Sequence, residues 1–250
     1  MQIPWTELKL EAVEFKKIIE RERMLRRYQR MLEGRLPLAD RIHGALAKVR
    51  TQLETSWRGT VKRSLDIVVS AFGILISIPA MAVIAFAIRL DSKGPTLFKQ
   101  TRVGMRGRSF NMMKFRTMVQ DAEAKTGPVW AQEHDPRITP IGRFLRKTHL
   151  DELPQLFNVI QGEMSLVGPR PERPYFVSEF RRIIPHYDRR LCAKPGITGL
   201  AQVKRGYDQN LADVKKKVKY DLLYIQKMCP LLDFKVLAMT VGAVLLRTGR

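Results

Sequence analysis

Two adjacent carboxylates, Asp151 and Glu152, precede Pro154 in a stretch that is rich in basic residues. Pro154 suits the first turn of a helix, so we expect the pair at that helix's beginning, where the dipole and nearby cations keep a carboxylate ionised. Such a carboxylate could attack a phosphorus atom, or hold Mg²⁺ together with substrate phosphates. Acidic residues at this position are also common helix caps, and the dipeptide alone favours that structural role.

Basic side chains elsewhere are candidates for binding phosphate. Lys114 and Arg116 are two residues apart on a predicted strand, so both are expected on one face. Together they could hold a diphosphate, although a solvated strand face is the more common case. Arg170 lies between Pro169 and Pro171, which stiffen the backbone on both sides and would orient its guanidinium toward an anion. A surface turn with an unengaged arginine is an equally good local interpretation.

Local patterns predict the elements that must position these residues. A β-hairpin is expected over residues 96–115, since polar and apolar residues partly alternate around the turn Gly104-Met105-Arg106-Gly107. This hairpin, together with the helices given next, predicts an α+β fold that is mostly helical. The predicted helices begin at Pro140 and Pro154 and cover residues 176–183, 211–228 and 234–246.

An uncharged apolar segment of 22 residues, Ile67–Ile88, is long enough to cross a bilayer. Pro79 lies near its middle, where it removes a backbone donor and breaks or kinks the helix. Ser77 could satisfy a backbone group that this break frees. Neither half of the segment, at about 1.5 Å per residue, is long enough to cross alone.

Basic residues flank this segment on both sides, with Lys62 and Arg63 before it and Arg89 and Lys93 after it. Positive residues mark the cytoplasmic side of a membrane protein. We therefore predict a monotopic protein in which residues 61–92 form a proline-broken, re-entrant helix that enters one leaflet. A buried core helix is the alternative.

The composition limits the choice of partners. The chain has 45 Lys and Arg against 24 Asp and Glu, a net charge of +21, which indicates an anionic partner such as acidic membrane lipids, a phosphorylated substrate or nucleic acid. An aromatic fraction of 8% without a stacking pattern, and the long uncharged segment, argue against nucleic acid. Two cysteines without a C-x-x-C pair exclude a disulfide scaffold. A non-catalytic, basic membrane-binding protein remains the alternative to an enzyme.

Outside the apolar segment the chain divides into two regions. Residues 1–60 are predicted to form a basic helical extension, either solvated or oligomerising, or lying on anionic lipid. Residues 93–250 are predicted to form a cytoplasmic catalytic domain with interfacial helices. A homodimer is compatible with this organisation.

Seven motifs follow one another in a fixed order. They are Lys62–Asp66, the proline-broken apolar segment, Gly94-Pro95 with Phe98–Gly104, Lys114–Met118, Thr148–Leu156, Met164–Pro171 and Lys194–Gly199. In this order they resemble the bacterial sugar transferase family, the monotopic polyprenyl-phosphate phosphoglycosyl transferases. The resemblance covers about residues 60–250.

The resemblance implies transfer of a sugar 1-phosphate from a UDP-sugar to undecaprenyl phosphate, with release of UMP, at the cytoplasmic face of the bacterial inner membrane. Asp151 matches the nucleophile that forms a covalent phosphosugar intermediate, and Glu152 matches the residue that organises Mg²⁺. Lys114, Arg146 and Arg170 match cations that engage phosphates. Hexose and N-acetylated donors are not distinguished.

The chain departs from the family at one point. After Lys194–Gly199 many members read Ala-Gln-Val-Asn-Gly-Arg, whereas this chain reads Ala201-Gln202-Val203-Lys204-Arg205-Gly206. Arg205 is the candidate here for the phosphate-binding arginine of the family.

Overall fold

The computed structural model describes residues 38–123, 135–204 and 211–245. Within these ranges the protein is mostly helical α+β with two small β-sheets, as the sequence predicts. The chain divides into two compact units, residues 1–57 and 58–250. In the first unit the backbone is helical from Leu38 onward. The second unit contains all the candidate site residues.

The first helix, α1, runs over Leu38–Asp91 and contains the uncharged segment. Its part Gly59–Asp91 is long and apolar enough to cross a membrane, and 11% of its most apolar stretch is buried inside the protein. Phe72, Leu75 and Phe86 are each more than 60% exposed. Apolar surface on this scale is suited to lipid rather than water, which supports membrane association.

Helix α1 continues through Pro79 and does not end there. The proline has no N–H, so one carbonyl of the preceding turn loses its helical donor. In a regular helix that carbonyl is the one of Leu75, whereas the Ser77 hydroxyl donates to the carbonyl of Ile74 at 3.2 Å. Satisfaction of the freed group by Ser77 therefore stays a prediction. Proline inside a continuous helix is accommodated by a kink. The re-entrant path stays a prediction.

The hairpin forms where it is predicted. Strand β1 (Leu97–Val103) pairs antiparallel with β2 (Ser109–Phe115), with Phe98 opposite Lys114. A 3₁₀ turn, Met105–Gly107, joins the strands. Arg106 and Gly107 both have positive φ, at 58° and 77°, and these two left-handed residues reverse the chain.

Helices α2 (Pro140–Thr148) and α3 (Gln155–Gln161) follow the hairpin. Pro140 is the first residue of α2, and Gly162 ends α3 with a φ of 85°, in agreement with the signals in the sequence. The other α-helices of the described residues are α4 (Pro174–Ile183), α5 (Leu200–Lys204), α6 (Leu211–Lys227) and α7 (Pro230–Leu245), and a 3₁₀ helix covers Tyr187–Cys192.

A parallel pair of three-residue strands was not predicted. β3 (Ser165–Val167) pairs with β4 (Gly196–Thr198), a stretch that the sequence suggests is a loop. The two backbones approach so closely that a Cβ on Gly196 would lie 2.1 Å from the amide nitrogen of Gly168. Glycine is therefore required at this crossing.

Three charged residues at the apolar segment's beginning tie α1 to the rest of the second unit. Lys62 forms a 2.7 Å ion pair with Asp233 of α7, and Asp66 accepts from the amide of Leu166 in β3 at 3.0 Å. Arg63 donates to two carbonyls in the last turn of α3. The Lys62–Asp66 motif therefore joins the apolar helix to the domain that carries the candidate site.

Candidate active site

The two carboxylates lie on a short 3₁₀ turn, Leu150–Glu152, between α2 and α3. His149 ends α2 in the left-handed conformation, with a φ of 56°, and reverses the chain direction. Leu150 and Leu153 pack against an apolar cluster that contains Ile88 of α1. The flanking leucines therefore anchor the turn on the last part of α1.

Glu152 is held by two cations. Its Oε1 accepts from Lys114 Nζ at 2.6 Å and from Arg170 Nη2 at 2.6 Å. Burial alone would raise the pKa of Glu152, but the charges and hydrogen bonds of Arg170 and Lys114 outweigh it and hold this pKa far below its ordinary value. Glu152 is therefore ionised throughout the range in which an enzyme works.

Asp151 has a different environment from its neighbour. The side chain is 10% exposed, and its nearest cation is Lys114, with Nζ 3.9 Å from Oδ2. Its carboxylate makes no hydrogen bond with any residue in the described part of the chain. Burial raises the pKa of Asp151, Lys114 opposes the shift, and the negative charge of Glu152 adds to it. Asp151 is thus the less stabilised and more basic of the two carboxylates.

Lys114 lies between the two carboxylates, near the end of β2. Burial lowers the pKa of its ammonium group, the charge of Glu152 opposes this, and the charge of Arg170 adds to it. Arg146 of α2 contributes a further positive charge to the environment of Asp151. Its Nε donates to Thr117 Oγ1 at 2.9 Å, which fixes its stem beside the segment that follows β2.

The structure does not bring Arg116 into this cluster. Strand β2 ends at Phe115, and the Arg116 guanidinium donates instead to the carbonyls of Ser92 and Lys93, both at 2.7 Å. These carbonyls follow the last residue of α1, so Arg116 fixes the chain where it leaves the apolar helix. Phosphate binding by Arg116 stays a prediction that the position of its side chain does not support. Arg205 lies outside the described residues.

Two ion pairs next to the Arg170 loop, one buried and one partly buried, were not predicted from the sequence. Arg190 and Asp221 form an ion pair in which both side chains are at most 3% exposed. Glu172 pairs with Lys217 at 2.9 Å. Lys217 and Asp221 are four residues apart on α6, so they share one face of it. That spacing was visible in the sequence, but the partners come from distant segments.

The cluster combines one ionised carboxylate that is bound by two cations with one that has no hydrogen bond to any described residue. Glu152 contacts Lys114 and Arg170 at 2.6 Å, while Asp151 lies 3.9 Å from Lys114, beyond hydrogen-bond distance. An anionic nucleophile is repelled by a phosphate group unless nearby cations offset the charge. This arrangement suits attack by Asp151 on a phosphorus atom.

The sequence also matches a known protein family. A family model described as bacterial sugar transferase matches residues 57–247. The chain belongs to the bacterial sugar transferase family. The match includes every element of the site, from the Lys62–Asp66 motif to α7.

Individual relatives are similar over the same part of the chain. The UDP-N-acetylgalactosamine-undecaprenyl-phosphate N-acetylgalactosaminephosphotransferase of Aeromonas hydrophila is 42% identical over 189 residues, 76% of this chain and 44% of that protein. The UDP-glucose:undecaprenyl-phosphate glucose-1-phosphate transferase of Klebsiella pneumoniae is 44% identical over 183 residues, 72% of this chain and 39% of that protein. The chain thus spans less than half the length of both.

A relative of more similar length is the UDP-glucose:undecaprenyl-phosphate glucose-1-phosphate transferase of Caulobacter vibrioides. It is 41% identical over 186 residues, which are 74% of this chain and 69% of that protein. The relatives' names include both glucose and N-acetylgalactosamine as the sugar.

Proposed function

We propose that this chain transfers a sugar 1-phosphate from a UDP-sugar to undecaprenyl phosphate and releases UMP. The observation that carries the proposal is the difference in hydrogen bonding between the two carboxylates. Glu152 is bound to two cations, whereas Asp151 is buried beside them without a hydrogen bond among the described residues. Family membership and the relatives' names support the same substrate class.

In the first step an oxygen of Asp151 forms a bond to the phosphorus that carries the sugar. The bond from that phosphorus to the bridging oxygen of UMP breaks, and UMP leaves with the electron pair. Lys114 and Arg170 would bind the diphosphate oxygens, and Arg146 would add positive charge beside the nucleophile. The product is a phosphosugar held covalently on Asp151.

In the second step a phosphate oxygen of undecaprenyl phosphate attacks the same phosphorus, and the Asp151 carboxylate leaves. A covalent intermediate lets a water-soluble donor and a lipid acceptor meet one carboxylate in turn. UMP must leave the site before undecaprenyl phosphate reacts there, which makes the mechanism ping-pong. The lipid product is a sugar joined to undecaprenyl diphosphate, a first membrane step in surface glycan synthesis.

The carboxylates have the chemistry that Mg²⁺ requires. Mg²⁺ prefers oxygen ligands and takes one or two carboxylates together with substrate phosphates. Among the described residues no group of three or more His, Cys, Asp or Glu side chains could hold a metal alone, and such a protein cage is not needed when phosphates complete the shell. Glu152 would hold the ion through Oε2, because Oε1 contacts Lys114 and Arg170. When bound, Mg²⁺ polarises phosphoryl oxygens as a Lewis acid.

The membrane arrangement is part of the proposal. Exposed apolar side chains of α1 would enter one leaflet along a re-entrant path, with the basic flanks at the cytoplasmic face of the inner membrane. The site residues then lie beside the leaflet that holds the lipid acceptor, because the carboxylate turn packs on α1. Anionic lipids would add about 1 kcal/mol of attraction for each basic residue near the surface.

Intact mass spectrometry tests the nucleophile directly. The detergent-solubilised protein is incubated with Mg²⁺ and a panel of UDP-glucose, UDP-galactose and their N-acetylated counterparts, without a lipid acceptor. We expect wild type to gain the mass of one sugar phosphate with a single donor class. Asp151→Asn should gain none, while Asp188→Asn, a matched change at an exposed ion pair with Arg181, should react like wild type.

UMP release with undecaprenyl phosphate present separates the remaining outcomes. Turnover that survives Asp151→Asn would contradict the role of Asp151 but not the overall reaction. Absence of both adduct and turnover for every donor would contradict the reaction and favour a non-catalytic, basic membrane-binding protein.

A further inference from the structure

The segment that carries Arg170 is fixed at every backbone carbonyl. In Pro169–Glu172 two of four residues are prolines, and each of the four carbonyls accepts a hydrogen bond at 2.8 to 3.0 Å. The donors come from separate parts of the chain. They are the Gly196 amide, Arg190 Nη2, Arg102 Nη1 and the Val103 amide, in the order of the carbonyls.

Arg190 is the donor to the carbonyl of Arg170 itself. It is 4% exposed, and its Nε and Nη2 donate to Asp221 Oδ2 at 3.1 and 2.8 Å. Its Nη1 donates to the hydroxyl of Tyr187 at 2.7 Å. The planar guanidinium is therefore fixed from two sides before it reaches Arg170 at 2.8 Å.

Helix α6 carries Asp221, the acidic partner of Arg190, and also contacts Glu172 of the Arg170 loop. Asp221 holds Arg190, and Lys217, one turn earlier, donates to the side chain of Glu172 at 2.9 Å. One face of α6 thus supports both the backbone of Arg170 and the residue two positions after it. A buried ion pair adds little net stability compared with apolar residues of similar size. We therefore look for the role of the Arg190–Asp221 pair in the position that it gives to Arg170 rather than in stability.

We propose that Arg190, held by Asp221 and Tyr187, is a positioning residue that sets the direction of the Arg170 guanidinium toward Glu152 and the substrate diphosphate. The inference rests on the proposed function. Arg170 Nη2 lies 2.6 Å from Glu152 Oε1, so a shift of its backbone would disturb the cation and the carboxylate together. A displacement of about 1 Å in a positioned group costs about a hundredfold in rate.

A double-mutant cycle on kcat for UMP release tests this role. Arg190→Lys keeps the positive charge but cannot reach Asp221, Tyr187 and the Arg170 carbonyl in one plane. We expect it to lower kcat by about tenfold to a hundredfold in the wild-type background. In the Arg170→Ala background it should lower kcat by less than about twofold, because the group that it positions is gone.

The matched control is Arg181→Lys, which alters an exposed arginine that pairs with Asp188. It should leave kcat unchanged in both backgrounds. Where Arg190→Lys does not fold, Tyr187→Phe removes a single acceptor from Arg190 and keeps the ion pair. It should lower kcat several-fold, and Arg170→Ala should suppress the loss in the same way.

The outcomes separate this inference from the function on which it rests. Equal losses from Arg190→Lys in both backgrounds would overturn the positioning role and leave only a structural one. Full activity of Arg170→Ala would overturn it as well, while the reaction itself would stand. An inactive wild type would overturn the proposed function and the inference together.

Discussion

Asp151→Asn and Glu152→Gln are the same chemical change at adjacent residues, and we expect them to alter stability in opposite directions. Asp151 is buried with one cation at 3.9 Å and a like charge beside it. Glu152 accepts from two cations at 2.6 Å. Neutralising Asp151 therefore removes a charge that destabilises the fold, and neutralising Glu152 removes a charge that two partly buried cations contact at hydrogen-bond distance.

The magnitudes follow from these distances. Two unit charges about 4 Å apart attract by about 4 kcal/mol at an effective dielectric constant of about 20, against several kcal/mol of desolvation for each buried ion. For Asp151 the attraction of Lys114 and of the more distant Arg170 and Arg146 does not offset burial and the repulsion by Glu152, as its raised pKa indicates. We expect Asp151→Asn to raise the free energy of unfolding by about 1 kcal/mol. Glu152→Gln should lower it by about 3 kcal/mol.

Thermal melting of the detergent-solubilised variants near neutral pH measures both effects. For a chain of this size about 1 kcal/mol moves the midpoint by about 2 to 4 °C, so Asp151→Asn should melt a few degrees higher and Glu152→Gln about 6 to 12 °C lower. Asp188→Asn, in an exposed pair, should change little. A lower midpoint for Asp151→Asn would refute the assignment of an energetically unfavourable charge to this position.

The pH dependence gives a second check with a fixed sign. The folded-state pKa of Asp151 lies above its unfolded value of 3.8. The cost of its charge is therefore present above the folded pKa and disappears as the pH falls to 3.8. The folded-state pKa of Glu152 lies below its unfolded value of 4.5, so its stabilisation is complete above 4.5 and is lost only below it. The gain from Asp151→Asn should fade at a higher pH than the loss from Glu152→Gln.

Three further predictions concern backbone contact, protonation and metal. Gly142→Ala should destabilise the fold by about 2 kcal/mol or more, because its Cβ would lie 2.0 Å from the carbonyl oxygen of Thr117. Melting experiments measure this loss. The control is Gly242→Ala, whose Cβ would have no atom within 4 Å. The rate should fall at alkaline pH with an apparent pKa below 10.5, as partly buried Lys114 loses its proton, and Lys114→Arg should move that fall to higher pH. Chelation of divalent cations should stop UMP release, and added Mg²⁺ should restore it.

Features set by local signals were predicted well from the sequence. The hairpin follows from alternation around Gly104–Gly107, and α3 follows from Pro154 and Gly162. The parallel pair of β3 and β4 was missed because three-residue strands carry little periodic signal and their partners are far apart in sequence. Arg116 was predicted beside Lys114 by strand periodicity, but β2 ends at Phe115 and the rule does not apply beyond it.

The candidate site also has a part that the sequence predicts and a part that it does not. The carboxylate pair, Lys114 and Arg170 could be named from their residue types and spacing, and Arg146 from the family resemblance. The structure brings all three cations into the environment of Asp151. The difference between the two carboxylates arises because β2 and the Arg170 loop meet at the Leu150–Glu152 turn. There Lys114 and Arg170 bind Glu152, and Asp151 has no hydrogen bond to any described residue. That meeting is a tertiary event, and no local pattern in the sequence encodes it.

The difference between the two carboxylates also explains why the site contains a pair. A single carboxylate that neutralised Lys114 and Arg170 would be held by them and would be a weak nucleophile, because hydrogen bonds to the charged form lower its basicity. Glu152 takes that role, with both cations on one oxygen. Asp151 can then lie 3.9 Å from Lys114 and keep a raised pKa. Division of the two tasks would leave Asp151 as a basic nucleophile beside cations, as the proposed attack on a diphosphate requires.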